Sequence, residues 1–353
     1  MTPRTETMNS VYRWIHHHLL KILLVAYGVA AVFPGPGNWI RSTGATVVGK
    51  GSAFEFQFSL IQLLLAFLLF NAGTACRLQD FKKMIAQPYT LVLGVLFNFL
   101  APLAFISVFA VLGRHFWHNA DEIQNVLTGL AIIASMPIAG SSTAWAQGVG
   151  GNPSLILGLV MVTTILSPLS TPWVFKAVTP FLTGDYAEDI AEMAAAGSVQ
   201  MFLLLSVVIP SVLGMAFRHF SGEDRFGRCQ PGLKLAGVLV LLTLNYSNAA
   251  AALPQAFTNP DWDFLALILT ATFVLCIIGF LAGWFLPVLT RANETDRKAL
   301  MFGLGMNNNG TGLVLASASL PDHPMIGLPI IFYNLGQQVV AGIFTAWVER
   351  KKR

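Results

Sequence analysis

Ser135-Met-Pro-Ile-Ala-Gly-Ser-Ser-Thr143 and Gly303-Leu-Gly-Met-Asn-Asn-Asn-Gly-Thr-Gly312 decide how this chain folds. Each lies near the middle of an apolar stretch long enough to cross a bilayer, and each sets helix-breaking Pro or Gly among hydroxyls and amides. A break at membrane depth frees backbone groups that hydrocarbon cannot satisfy, so it must be packed in protein or line a wet cavity. Two such breaks at corresponding places in the two halves of a chain are the pattern of a secondary transporter's binding site.

The surrounding composition fits. Apolar residues make up 55% of 353 positions and charged residues only 11%, the balance of a polytopic membrane protein. Apolar runs of about 20 residues predict ten spans, at 19–35, 56–75, 88–113, 124–147, 152–176, 197–218, 232–253, 263–290, 297–320 and 324–348. The basic residues support that number. With ten spans, 17 of the 21 lysines and arginines fall on the side of the two termini. Only Arg41, Lys50, Arg114 and Lys176 fall on the other. By the positive-inside rule the expected setting is the inner (plasma) membrane with both termini cytoplasmic. The basic pI then reflects topology and attraction to membrane lipids, and gives no reason to invoke nucleic acid.

Ten spans divide into five and five, and the broken span is the fourth of each set. An odd number of spans per half inverts the second half relative to the first. The fold class predicted is therefore all-α, ten transmembrane helices in an inverted five-plus-five repeat, with spans 4 and 9 discontinuous. An acidic loop at 182–195 joins the halves, and no soluble domain remains.

All 17 acids lie at or near span ends, as do all seven histidines. That disfavours proton coupling through an intramembrane carboxylate or imidazole. No nucleophile with a base, metal cluster or buried carboxylate pair is visible, so an enzyme is not expected. The cysteines Cys76, Cys229 and Cys276 are too few for a disulfide framework, and no cofactor is implied beyond a possible sodium ion.

Neutral oxygens are what remain at depth. Hard cations take amide and carbonyl oxygens, so Asn98, Asn307 and the unwound carbonyls of Gly303, Leu304 and Met306 are the candidate sodium ligands. The second half-helices, beginning near Gly140 and Asn309, direct their positive ends at the break. This makes Ser141, Ser142, Thr143, Asn308, Asn309 and Thr311 the candidate contacts for an anionic substrate. For the three hydroxyls, bonding back to their own helix is the competing structural role. Consecutive asparagines flanked by glycines are costly to bury without function. Gln337 and Gln338 serve equally well as ligands or as glue between helices.

Three blocks resemble the bile acid:sodium symporter family: Phe70-Asn-Ala-Gly-Thr-Ala-Cys-Arg-Leu-Gln-Asp-Phe81 with Gly94-Val-Leu-Phe-Asn-Phe99; Pro137 to Thr143 with Gly151-Asn152 and Ser167-Pro-Leu-Ser-Thr-Pro172; and Phe302 to Gly310. The resemblance implies a single transporter domain, residues 1–353, in which a core of spans 3–5 and 8–10 moves against a panel of spans 1, 2, 6 and 7. It also implies that the third-span amide, the fourth-span hydroxyls and the ninth-span break bind sodium. Asn98 and Asn307 stand where the family commonly has glutamine, Ser142 keeps its hydroxyl, Thr143 replaces asparagine and Asn308 matches. The departure is at Gly303, which replaces the glutamate that bridges both family sodium sites, and at Val160, where a ligating threonine is expected. The expected activity is alternating-access transport of a small or amphipathic organic anion with sodium coupling reduced or absent. A sodium-independent facilitator, or a transport-inactive sensor or scaffold, is the alternative.

Overall fold

The computed structural model describes residues 3–48, 55–76 and 88–350. Lys50, Arg77, Lys82 and Lys83, the end of the Phe70–Phe81 block, and the terminal Lys351, Lys352 and Arg353 lie outside them.

The chain is helical, with one short exception. Strand β1 (Gly44–Val48) pairs antiparallel with β2 (Glu55–Ser59), Val48 opposite Glu55 and Gly44 opposite Ser59. This takes the first residues assigned to the second span. The helix itself, α4, begins at Leu60 and runs to Gly73. Ser59 starts it through a capping box: Ser59 Oγ accepts from the Gln62 N–H, and Gln62 Oε1 accepts from the Ser59 N–H. Before the hairpin come α1 (Pro3–His17), α2 (Leu19–Val32) and α3 (Gly35–Ser42).

The helices that follow are α5 (Pro88–Phe116), α6 (Ala120–Ser135), α7 (Ser142–Gly148), α8 (Pro153–Val178), α9 (Gly184–Ala195) and α10 (Ser198–Leu203). A π-helical turn leads into α11 (Ile209–Thr258), and α12 (Trp262–Phe285), α13 (Pro287–Thr290), α14 (Glu294–Gly305), α15 (Asn309–Ser319) and α16 (Gly327–Arg350) complete the chain. Among the described residues five helical runs are long and apolar enough to cross a membrane by length and composition, one of them, Ser198–Thr258, containing a kink at Gly222. The fourth and ninth predicted spans are each split in two, as their Pro and Gly residues require. Two expectations about connections change. The acidic joint at 182–195 is a helix, α9, and not a loop. The connection between spans 6 and 7 is helical except at Gly222, where φ is 69° and ψ 160°: α11 is two helices meeting at this kink, a backbone conformation open to glycine and strained for other residues.

Several helix starts use asparagine. Asn119, Asn152, Asn293 and Asn308 each place their side-chain oxygen on a first-turn N–H, of Asp121, Ser154 and Leu155, Asp296 and Thr311 respectively. These caps set where α6, α8, α14 and α15 begin, and the one at Asn308 ends the second polar break.

By contact, the chain forms two compact units. One comprises Met1–Leu78 with Leu204–Pro260. Inside it α11 packs on α4, α2, α1 and α3. A Cβ added to Gly73 would lie 2.0 Å from the Ser211 carbonyl oxygen, and one added to Gly214 would lie 2.0 Å from that of Phe70. The backbones of α4 and α11 thus meet without side chains between them, a close packing that membrane helices use where burial from water provides no drive. Polar ties reinforce it: Tyr27 Oη donates to Asn245 Oδ1 (2.7 Å), and Arg218 Nη1 donates to the last carbonyls after α4, Thr74 and Ala75.

The other unit comprises Gln79–Leu203 with Asp261–Arg353 and holds both helix breaks. Its α12 packs on α14 and α16, while α5, α6 and α8 pack on one another. Gly283 lets α14 approach α12 so closely that an added Cβ would lie 2.2 Å from the Leu300 carbonyl oxygen.

Candidate functional site

Proline disfavours helical backbone at the residue before it, and α6 accordingly ends at Ser135, with Met136 extended (φ −77°, ψ 146°) ahead of Pro137. In the second half α14 ends at Gly305 and Met306 is extended (φ −131°, ψ 113°). The two extended pieces run antiparallel and cross. The Ala139 N–H donates to the Met306 carbonyl and the Asn308 N–H to the Pro137 carbonyl, each at 2.8 Å, with Ile138 opposite Asn307.

In such a bridge the N–H groups of the paired residues point outward. Both are caught by side chains from neighbouring helices. The Ile138 N–H donates to Thr163 Oγ1 of α8, and the Asn307 N–H donates to Gln337 Oε1 of α16, both at 3.1 Å. Asn307 Nδ2 donates to the Ile133 carbonyl (2.9 Å), and Thr171 Oγ1 donates to that of Ser135 (3.0 Å). Protein groups therefore satisfy much of what the breaks expose.

What they leave is specific. Asn98 on α5 is 2% exposed, and neither atom of its amide has a hydrogen-bond partner. Asn307 Oδ1, both amide atoms of Asn309 and Thr311 Oγ1 are likewise buried and unpartnered. Asn307, Asn309 and Thr311 are brought together at the end of one break and the first turn of α15, whereas Asn98 lies on α5, which packs against α14. An unpaired amide in an apolar interior costs several kcal/mol, so these atoms are the ones suited to hold a ligand.

The other predicted residues are more committed. Ser142 Oγ donates to the Ala139 carbonyl and Thr143 Oγ1 to that of Gly140, both at 2.7 Å, which closes the turn into α7. Asn308 Oδ1 caps α15 by accepting the Thr311 N–H at 3.4 Å. Ser141 precedes α7 with no side-chain cap bond. That helix begins at Ser142, two residues later than expected, and has only seven residues. The Met306 carbonyl already receives the Ala139 N–H. The Leu304 carbonyl lies 2.6 Å from where a Cβ on Gly279 of α12 would stand.

Gly303 is walled by hydrocarbon. A Cβ there would meet Ile156 Cδ1 and Leu159 Cδ1 at 3.2 Å and Ile138 Cδ1 at 3.9 Å. No charged side chain lies among the residues of the crossing. Two acids that the sequence places at span ends are nonetheless buried, Glu122 in the first turn of α6 and Asp296 in that of α14.

Sequence reasoning did not single out Thr163, whose only signal is a hydroxyl in mid-span, nor Asn248 of α11, whose amide is also buried and unpartnered. Gln337 proves to be the acceptor for a break N–H, while Gln338 Oε1 accepts from Trp145 Nε1 at 3.2 Å. Replacing the buried acceptor is the costlier change. Gln337→Leu is expected to lower stability by about 1–3 kcal/mol, the range for stranding a buried donor. Gln338→Leu should lower it less, and thermal denaturation in detergent compares the two.

A helical membrane protein with two crossed helix breaks and uncommitted buried polar atoms beside the second has the build of a transporter. Residues 62–259, more than half of the chain, match the Sodium Bile acid symporter family, and the chain belongs to it. It is a membrane transporter and not an enzyme. Among its relatives is the Bacillus subtilis (strain 168) protein named as uncharacterized protein YbaS, 26% identical over 287 residues, which span 81% of this chain and 88% of that one. The uncharacterized sodium-dependent transporter YocS of the same strain is 22% identical over 324 residues, 90% of this chain and 92% of its own. The probable sodium/metabolite cotransporter BASS2, chloroplastic, of Oryza sativa subsp. japonica is 21% identical over 276 residues, 77% of this chain and 60% of its own.

Proposed function

We propose that this chain carries a small or amphipathic organic anion across the inner membrane by alternating access, with sodium coupling reduced or absent and both termini cytoplasmic. The observation that carries this reading is the set of buried, unpartnered polar atoms left over after the two breaks have satisfied one another: Asn98, Asn307 Oδ1, Asn309 and Thr311. A cargo that accepts and donates hydrogen bonds there removes a cost the protein bears without it.

The ten-span inverted repeat is supported by how the bridge is braced. Each outward N–H of the crossing is taken by the fifth predicted span of its own half, Thr163 for Ile138 and Gln337 for Asn307. Two repeats meeting through inverted copies of one element produce that correspondence. The two compact units support a panel of spans 1, 2, 6 and 7 and a core of spans 3–5 and 8–10.

Anion selectivity is supported by α15. It is 11 residues long, so its N-terminus carries a developed partial positive charge, and Asn309 and Thr311 lie in its first turn. Substrate contacts are therefore assigned first to Asn309 and Thr311, then to Asn308, Ser141, Ser142 and Thr143. For sodium, the oxygens of Asn98 and Asn307 with the carbonyls of Gly303, Leu304 and Met306 are all uncharged. The hydrocarbon wall at Gly303 leaves a bound cation without a carboxylate, which favours a sodium-independent facilitator as the second reading.

Uptake of candidate organic anions into proteoliposomes, with external sodium replaced by choline, tests this. Flux is expected to persist in choline. Collapse of concentrative uptake would overturn the reduced coupling and make Asn98 and Asn307 part of a working sodium site.

A further inference from the structure

A second polar site stands apart from the helix crossing, at the end of the unit where α5 and α14 begin. Pro88, Tyr89 and Thr90 of α5 and the segment Arg291–Asn293 with Asp296 line a cavity of about 290 Å³. The first turn of α14 is already capped by Asn293 Oδ1 and carries Glu294 and Asp296, so the positive charge at the cavity is that of Arg291. It forms no ion pair among the described residues, and its backbone is left-handed (φ 53°), which is uncommon outside glycine. Thr90 is 6% exposed and its hydroxyl has no hydrogen-bond partner among the described residues.

The cavity also holds one negative group. Asp296 is 1% exposed; its Oδ1 accepts from Asn152 Nδ2 at 2.7 Å, and its other oxygen makes no hydrogen bond among the described residues. A ligand that fits must therefore present an anion to Arg291 and a cation or strong donor to Asp296.

The surroundings are apolar. From the cavity an exposed stripe runs along one face of α5 through Tyr89, Val92, Leu96 and Leu100, at helical spacing. Val288 and Leu289, just before Arg291, are also exposed. In a membrane protein these side chains face acyl chains, so the polar cavity continues directly into a lipid-facing surface.

We propose that this cavity holds the headgroup of a phospholipid bearing a primary amine. Its phosphate is bound by Arg291 and Thr90, its ammonium by Asp296, and its acyl chains lie along the α5 stripe. Planar guanidinium pairs well with phosphate, and the carboxylate distinguishes a compact ammonium from a neutral or quaternary headgroup. This site is separate from the crossing and does not depend on which cargo or ion the transporter takes.

Native mass spectrometry of the full chain tests it. The purified protein is delipidated stepwise and then offered equal amounts of phosphatidylethanolamine, phosphatidylglycerol and phosphatidylcholine. Preferential retention of phosphatidylethanolamine is expected, weakened about tenfold by Arg291→Ala, the scale of one charge-assisted contact. Asp296→Asn is expected to abolish the preference among headgroups while lipid still binds. Should that variant not fold because Asn152 loses its partner, Arg291→Ala and the three-lipid competition still decide. Equal retention of the three lipids, preference for phosphatidylglycerol, no effect of Arg291→Ala, or protection by inorganic phosphate equal to that by lipid would each overturn the proposal.

Discussion

Asn307→Ala is expected to lower anion uptake by at least about tenfold per folded molecule, the effect of removing one well-formed polar contact worth about 1.4 kcal/mol. The amide of Asn307 has two jobs. Its Nδ2 donates to the Ile133 carbonyl, while its Oδ1 is buried and uncommitted. Alanine removes both; the Ile133 carbonyl keeps the Met136 N–H at 3.2 Å, so the loss of stability that accompanies the loss of transport is only that of one hydrogen bond, about 0.5–1.5 kcal/mol. Measuring uptake against the folded fraction in the same vesicles separates the two. Gln337→Leu is the comparison, because it loosens the same bridge from the other side while leaving Asn307 Oδ1 in place. If uptake in Asn307→Ala falls only as far as folded protein falls, Asn307 is a brace and not a ligand.

The second large effect is at Gly303. Restoring glutamate there is expected to deplete folded protein and not to create sodium-dependent uptake. The new side chain would push into Ile156 and Leu159, both 3.2 Å from the β-carbon position, with Ile138 beyond. A carboxylate in that hydrocarbon has no partner, and an uncompensated buried charge costs about 3–5 kcal/mol. Gly303→Ala is the control. It adds one carbon against the ends of two flexible side chains and should be tolerated. A stable Gly303→Glu protein whose uptake follows sodium would show that α8 and the first break can make room for an ion, and the reading of reduced coupling would fail.

Much of this architecture was legible from residues alone. Met136-Pro137 and Gly303 to Met306 mark the ends of α6 and α14, because proline and glycine act on the backbone locally. The asparagine caps at 119, 152, 293 and 308 are not read from the sequence and are shown by the structure alone. The connections were less legible. The stretch at 182–195 reads as a loop by its acids yet is helical from Gly184, and the two helices that carry spans 6 and 7 meet at a kink at Gly222. Short segments of this kind are decided by what they pack on, which composition does not record. At the site, the sequence sets the hydroxyls of Ser142 and Thr143, which can bond back to their own helix, apart from the consecutive asparagines, but it does not show that Asn308 caps α15 while Asn98, Asn309 and Thr311 stay unpartnered. That distinction depends on which atoms already have partners.

The sequence by itself determined a helical membrane protein with two polar breaks, since transfer of each apolar run into lipid and the backbone limits of Pro and Gly are properties of short segments. Only the tertiary structure decided that Ile138 meets Asn307, that Thr163 and Gln337 hold the crossing, that hydrocarbon surrounds Gly303, and that Asp296 is buried. Each of these depends on contacts between residues far apart in the chain. Hydrogen-bond satisfaction in a low-dielectric interior is a property of the completed packing and is absent from any single helix.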